Sequence, residues 1–307
     1  MALKMESCSI EELCPASEGG EKLLLELRHR LEEWLKFQPH LPQDIPKQIL
    51  EYFVLGSKMS LEQAKQKLDM FYTLKKLVPE VLTNRDPRGS GLTRFHKMMR
   101  TVYLPKLTPE KYRVCIFQPF VDDYTDFNSS DDAKYALMIE EILMLDIEAR
   151  SLGSIYVYDQ SKITFALVSK YTPALVKKFE IIATKAYAKK IKGIHLINAA
   201  PLTDTLVALG KKALKPKLAA RITVHQKGSY ESLYQVIPKS ILPKDYGGDE
   251  LSIERLDELW RQKVDEKRDW FLDQDKIVVD EKLRPGPPMN ADELFGFSGS
   301  FRKLDVD

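Results

Sequence analysis

Beyond residue 112 the apolar pattern switches back and forth between two periods, and this alternation restricts the fold more than any other feature. Short runs rich in β-branched and aromatic residues, "YRVCIFQPF" (112–120), "SIYVYD" (154–159), "KGIHLIN" (192–198) and "RITVHQ" (221–226), read as strands. Between them lie longer segments of helical spacing: "DDAKYALMIEEILMLDIEARSLG" (131–153), which ends in a glycine, "TPALVKKFEIIATKAYAKK" (172–190) and "PLTDTLVALGKKALKP" (201–216), which is cut off by Pro216. Strands separated by a helix pair through crossovers rather than hairpins, so the expected class is α/β with a mixed sheet.

The N-terminal part lacks this alternation. "EKLLLELRHRLEEWLKF" repeats Leu24, Leu27, Leu31, Trp34 and Leu35 at helical spacing. "LPQDIPKQILEYFVLGSKM" opens with prolines suited to a first helical turn. "SLEQAKQKLDMFYTLKKLVPEVL" places Ser60 three residues before Gln63, a capping-box signature, above a face of Leu61, Ala64, Leu68, Phe71 and Leu74. The turn formers of "NRDPRGS" (84–90) then mark a break. The expected organisation is a loose arm over 1–20, a helical bundle over 21–90, the α/β domain over 91–275 and a tail over 276–307. An acidic helix, "DELSIERLDELWRQKVDEKRDWFL", precedes the Pro/Gly-rich end.

Net charge is +2, from 47 Lys/Arg against 45 Asp/Glu, and names no partner. Its distribution is more informative. Between Lys170 and Gly228 stand thirteen Lys/Arg against only Glu180 and Asp204, so this segment is about +11 and the remainder about −9. Charge concentrated in this way attracts an anionic surface, although lysines coating solvated helix faces would give the same count. Within the segment, "KKIKGIHLINAAP" (189–201) sets Lys189, Lys190 and Lys192 at the entrance of an apolar strand.

Three cysteines, Cys8, Cys14 and Cys115, show no CxxC spacing, so neither a disulfide framework nor a zinc site is signalled. The start lacks a secretory apolar region, and no apolar run approaches the length of a membrane span. The chain reads as cytoplasmic. No GxSxG elbow, phosphate-binding glycine loop or HExxH motif occurs. His195 and Cys115, both mid-strand, read as packed core residues, and the adjacent pairs Asp122–Asp123, Asp131–Asp132 and Glu140–Glu141 are commonplace at loops and helix surfaces. No enzyme activity, metal, cofactor or nucleic-acid partner is expected.

The segment 201–216 carries a different kind of signal. Leu202, Leu206, Leu209 and Ala213 form one apolar stripe, and Lys211, Lys212 and Lys215 crowd its C-terminal end, where cations suit the helix dipole. Thr203 or Asp204 can cap its start. Gly210 inside it points to local looseness or close packing. Two readings fit: an ordinary surface helix, or a movable lid with its apolar side over a cavity and its basic end toward a membrane.

The order "KGIHLIN", this helix, "RITVHQ", the "SL…IP" segment Ser232–Pro238 and "LPKDYGG" (242–248) resembles the CRAL-TRIO lipid-binding family, in its tocopherol- and retinaldehyde-carrying branch. "GSIYVYD" is similar to the family's strand from Gly153 to Asp159, and residues 49–82 are similar to its N-terminal helical module. The resemblance implies a carrier that holds one small hydrophobic molecule in a closed pocket and releases it at a membrane when a gate helix swings. It implies a ligand pocket at Ala136, Glu140, Tyr156, Tyr158, Ile163, Phe165, Tyr171, Phe179, Ile182, Ala183, Tyr187, Ile191 and Ile194, and a gate carrying Leu202, Leu206, Leu209 and Ala213. It further implies contact with anionic, phosphoinositide-bearing membranes through Lys190, Lys192 and Arg221, to which the charge pattern adds Lys211, Lys212, Lys215 and Lys217. The chain departs from the pattern at "VLGSKM", with Leu55 and Ser57 where arginines are expected and Lys58 beside them, and at Lys162, where a glycine is usual. Four tyrosines in the pocket set imply either a ligand bearing a hydroxyl, carbonyl or carboxylate, or hydroxyls that bond one another, backbone or water. A membrane-trafficking adaptor that reads phosphoinositides on the same fold is the alternative to a carrier.

Overall fold

The computed structural model describes residues 3–296. Five strands, β1 (Met99–Leu107), β2 (Tyr112–Pro119), β3 (Gly153–Asp159), β4 (Ile191–Ile197) and β5 (Ile222–Val224), form one sheet in the order β1-β2-β3-β4-β5. β1 and β2 are antiparallel, and every later neighbour is parallel, as crossover connections require. The fold is α/β with a mixed sheet behind a helical N-terminal region. Helices α1 (Gly20–Leu35), α2 (Lys47–Gly56) and α3 (Leu61–Leu77) make that region, and Ser60 Oγ accepts from the Gln63 amide at the start of α3. α4 (Ser129–Leu145), α5 (Pro173–Ile181) and α6 (Thr203–Ala213) are the crossover helices, and α7 (Ile253–Glu266) and α8 (Arg268–Lys276) follow the sheet.

Several boundaries differ from the sequence expectation. β1 carries Pro105, which argues against a central strand. It is tolerated because β1 is an edge strand whose register is irregular between Tyr103 and Leu107. That edge is covered: Trp260 Nε1 of α7 donates to the Tyr103 carbonyl at 2.8 Å, and the Glu6 amide donates to that of Pro105 at 2.8 Å. The first residues are therefore not loose. Met5, Cys8 and Cys14 are buried, and a turn of helix over Ile10–Leu13 is closed by a Ser9–Glu12 capping box.

α4 stops at Leu145 rather than running to Gly153, because Asp146 turns the chain by accepting from the Glu148 amide at 3.0 Å. Gly153 instead opens β3, where an added Cβ would lie 2.8 Å from the Lys190 carbonyl oxygen. The acidic C-terminal helix is two helices, broken at Lys267. No side chain caps α6: Thr203 Oγ1 accepts from Ala200, outside the helix, and Pro216 opens a further turn, Pro216–Ala219.

There are two cores. One lies between the sheet, α4 and α7 around the fully buried Trp260, and the other fills the helical region around Phe53, Leu68 and Phe71. α4 belongs to both, giving Met138, Ile139 and Ile142 to the first and Leu137 and Met144 to the second. A helix buried on nearly every side loses the single apolar stripe of a surface helix, and its charged residues need partners.

Candidate functional site

The pleat of β3 alternates side chains, so Tyr156 and Tyr158 share one face of the sheet while Ile155 and Val157 share the other. On the tyrosine face lies a cavity of about 310 Å³. Phe117 of β2, the register partner of Tyr158, stacks on its ring at 4.6 Å, and Ile191, Ile194 and Leu196 of β4 continue the floor. Ala133, Ala136 and Leu137 of α4 form one wall, and Val176 and Phe179 of α5 form another. After α5 the chain adds a π-turn, Ile182–Ala186, with the Tyr187 amide donating to the Ile182 carbonyl at 2.9 Å. Ile182 and Ala183 of that wider turn also line the cavity. Leu206, Val207, Leu209 and Gly210 of α6, with Leu214, Leu218 and Ile222, close the top. An added Cβ at Gly210 would meet Ile222 Cδ1 at 3.2 Å, so this glycine lets α6 lie close to β5.

Of the residues implied as pocket lining, Ala136, Tyr156, Tyr158, Ile163, Tyr171, Phe179, Ile182, Ala183, Ile191 and Ile194 surround this cavity. Three do not. Phe165 begins a short helix and is 72% exposed, Tyr187 packs in the helical core with its hydroxyl donating to Glu141 at 2.7 Å, and Glu140 lines a neighbouring cavity of about 90 Å³. Among the residues expected on the gate, Leu206 and Leu209 face the cavity. Leu202 stands just before α6 and off the cavity wall, and the side chain of Ala213 lies outside the described residues.

Two polar groups at the cavity escaped the sequence reading. Lys189, placed there only at the entrance of an apolar strand, has a side chain only 4% exposed. Its ammonium donates to Glu140 Oε2 at 2.9 Å, Tyr156 OH at 2.7 Å and Tyr103 OH at 3.0 Å. Burial lowers its proton affinity, but Glu140 and Tyr156 outweigh that and hold the ammonium charged. Burial likewise pushes the Tyr156 phenol up to about 12, with Lys189 opposing. Asp132 sits two helical turns before Glu140 on the same side of α4, and it accepts from Tyr171 OH at 2.8 Å and from Thr101 Oγ1 at 3.4 Å. Burial raises its carboxyl to about 6, partly opposed by those two donors. Their charged and polar neighbours in sequence made both look like surface residues; the i, i+4, i+8 spacing of Asp132, Ala136 and Glu140 was the available signal.

On the opposite face of β4 from Ile194, His195 is a core residue, its Nδ1 2.9 Å from His225 Nε2, while His225 Nδ1 lies 2.8 Å from Ser232 Oγ. Burial, and then His225, lowers His195 to about 4, so the pair stays neutral.

The implied basic patch divides by role. Lys190 donates to the Leu55 carbonyl and Lys67 to that of Gly56, so two ammonium groups close the C-terminal end of α2. Arg221 donates to the Ile191 carbonyl, and Lys215 lies 3.5 Å from Glu180. Lys192, Lys211, Lys212 and Lys217 are exposed, Lys192 with its ammonium 4.8 Å from the Tyr112 ring. Among the described residues no helix is long and apolar enough to cross a membrane.

Comparison with known proteins agrees with this geometry. Residues 97–248 match the CRAL/TRIO domain model, and residues 22–92 match a Pinta-like, UBA domain model. The chain is 25% identical over 213 residues to human (Homo sapiens) α-tocopherol transfer protein-like, covering 69% of this chain and 61% of that protein. It is 31% identical over 122 residues to clavesin-1 of Rattus norvegicus, covering 39% of this chain and 34% of that one. The chain thus spans about three fifths of the length of the first of these relatives. A solved structure, the crystal structure of Sfh5, superposes over 80% of this chain and 97% of its own at 10% identity, with a TM-score of 0.48 that carries no weight beside the domain match. With its sheet, its cavity and its closing helix all inside the matched span, the chain belongs to the CRAL-TRIO family of lipid-binding and lipid-transfer proteins.

Proposed function

We propose that this chain carries one small hydrophobic molecule in the cavity beneath α6 and releases it at an anionic membrane when α6 moves. The observation that carries the reading is an apolar enclosure closed by a helix that faces inward with Leu206 and Leu209 and bears Lys211 and Lys212 in its last turn. Its volume, about 310 Å³, lies at the lower end of the range of small-molecule sites. The lid packs mainly on α5, and none of its described residues is fully buried except Thr203, so moving it exposes little core. Native mass spectrometry of the purified chain, followed by organic extraction, tests the carrier reading. One apolar species near one per chain is expected, and chains that stay empty when offered retinoids, tocopherols and phospholipids would end it.

The membrane step rests on four exposed lysines, Lys192, Lys211, Lys212 and Lys217; Lys215 is exposed too but leans toward Glu180. Each basic residue near an anionic bilayer contributes about 1 kcal/mol, or roughly fivefold in affinity. Changing Lys192, Lys211, Lys212 and Lys217 to Ala together is expected to weaken binding to phosphoinositide-containing vesicles by nearly three orders of magnitude, about 600-fold, at low salt, with cargo affinity in solution unchanged. The parent's binding falls steeply with added salt. Equal loss of vesicle and cargo binding would argue against a separate membrane face, and a variant that still binds vesicles as the parent does would remove these lysines from the membrane step.

A further inference from the structure

The polar groups around the cavity narrow the chemistry of the cargo, given the carrier reading on which this inference rests. An ammonium has three hydrogens to donate, and those of Lys189 are taken by Glu140, Tyr156 and Tyr103. The cation at the cavity is therefore already neutralised and fully hydrogen-bonded. Of the lining carboxylates, Glu180 is paired with Lys177 and Lys215, and Asp159 accepts from the Ser161 amide, Asn198 and Tyr246, whereas Asp132 has two hydroxyl partners but no cation within ion-pair distance among the described residues. The interior field at that end is negative.

Tyr158 completes the pattern. It lines the cavity between these two groups, fixed by its stack on Phe117, and its hydroxyl has no hydrogen-bond partner among the described residues. That hydroxyl is not sealed into the core, and the Asp132 carboxylate is its strongest charged neighbour. A phenol O–H facing an apolar cavity needs an acceptor, and the Asp132 carboxylate of the same lining has lone pairs to spare.

We infer that the cargo is an uncharged lipid bearing a single oxygen function, best a hydroxyl, which accepts from Tyr158 and donates to Asp132. A carbonyl satisfies the first contact and not the second, so it ranks below the alcohol. A carboxylate or phosphate head would be buried with no free cation and beside Asp132, which disfavours it. The tyrosines that make the cavity polar thus select for a neutral head group, and the cationic surface outside α6 serves the membrane rather than the cargo.

The test compares four molecules on one carbon skeleton, farnesol, farnesal, farnesoic acid and the hydrocarbon farnesene, titrated into the full chain at pH 7.4 with intrinsic fluorescence as readout. Farnesol is expected to bind at least tenfold tighter than farnesoic acid. Tyr158→Phe, which keeps the stacked ring, is expected to weaken farnesol about tenfold and leave farnesene unchanged. Asp132→Asn removes the negative charge and is expected to narrow the preference for alcohol over acid. The inference is overturned, with the carrier reading intact, if the acid binds as tightly as the alcohol or if Tyr158→Phe leaves the farnesol-to-farnesene ratio unaltered. Failure of all four to bind would instead count against the carrier reading and take this inference with it.

Discussion

Arg85→Ala is expected to lower the stability of the full chain by about 3–5 kcal/mol, seen as a fall of about 10 °C in Tm. Arg85 is 1% exposed and joins three parts of the chain that are distant in sequence. Its NH1 donates to Glu141 on α4, its Nε donates to Asp275 Oδ1 on α8 at 3.0 Å, and its own amide donates to Asp275 Oδ2 at 2.7 Å. Glu141 in turn accepts from Tyr187 at 2.7 Å, which ties in the turn after α5. Removing the arginine leaves a buried carboxylate with only Tyr187 and the nearby Lys75 to stabilise it, and an uncompensated buried charge costs far more than the pair itself contributes. Arg85→Met combined with Glu141→Leu should therefore recover most of the loss. A thermal melt within 2 °C of the parent for Arg85→Ala would show that the network is not under tension of this kind.

The same site fixes a pH dependence. Burial alone would raise the Glu141 carboxyl, but Arg85 and Lys75 outweigh it and hold the group below its ordinary value of 4.5. A group depressed in the folded state contributes stability that is fully present above its unfolded value and is lost as pH falls through the lower, folded one. Glu141 thus stabilises the parent at neutral pH and ceases to do so in acid below 4.5. In Arg85→Ala burial dominates, the carboxyl prefers its proton, and acidification relieves part of the penalty. The gap between parent and variant is expected to narrow between pH 7 and pH 4, and a constant gap would place the cost elsewhere.

How much of this could be read in the sequence depends on whether a residue's neighbours in the chain are also its neighbours in space. β3, β4, β5 and α6 are local patterns; the family resemblance implied Tyr156, Tyr158 and Ile194 as pocket lining, helical spacing singled out Leu206 and Leu209, and all five stand at the cavity. β1 was invisible because Pro105 contradicts a central strand, and only the edge position and its cover by Trp260 make the proline acceptable. Phe117 and Val207 required the register of β2 against β3 and the distance of α6 from the sheet, neither of which a single strand or helix encodes. Phe165 failed for the opposite reason: an apolar residue matched by position alone turns outward when the loop before it has a different shape. Charge was the least legible property. Lys189, Lys190 and Lys192 are closely spaced in sequence, yet one lies inside at the cavity, one closes a helix end and one faces solvent. Alternation along β4 and the turn before it separates them, and a net charge for the segment cannot.

Lys189→Met should therefore behave as a core mutation rather than a surface one, with a loss of about 3–5 kcal/mol although only one lysine of the closely spaced set Lys189, Lys190 and Lys192 changes. The substitution leaves Glu140, whose side chain is 9% exposed, without its cation, and takes a donor from both Tyr103 and Tyr156. Glu140 is then a buried carboxylate without its ion-pair partner, which is costly. Adding Glu140→Leu removes the orphaned charge, so the double variant should melt far closer to the parent than Lys189→Met alone. The pair also stands where the two cavities meet, since Tyr103 and Lys189 line both and Glu140 lines the smaller. If its role is to hold that wall and occupy the cation that Lys189 brings to the larger cavity, the double variant keeps its cargo at the parental stoichiometry. Should the single variant melt with the parent, Lys189 is not the buried partner described above. Should the double variant fold but lose its cargo, the ion pair binds the cargo directly, and a neutral head group at Tyr158 is no longer a sufficient account of the site.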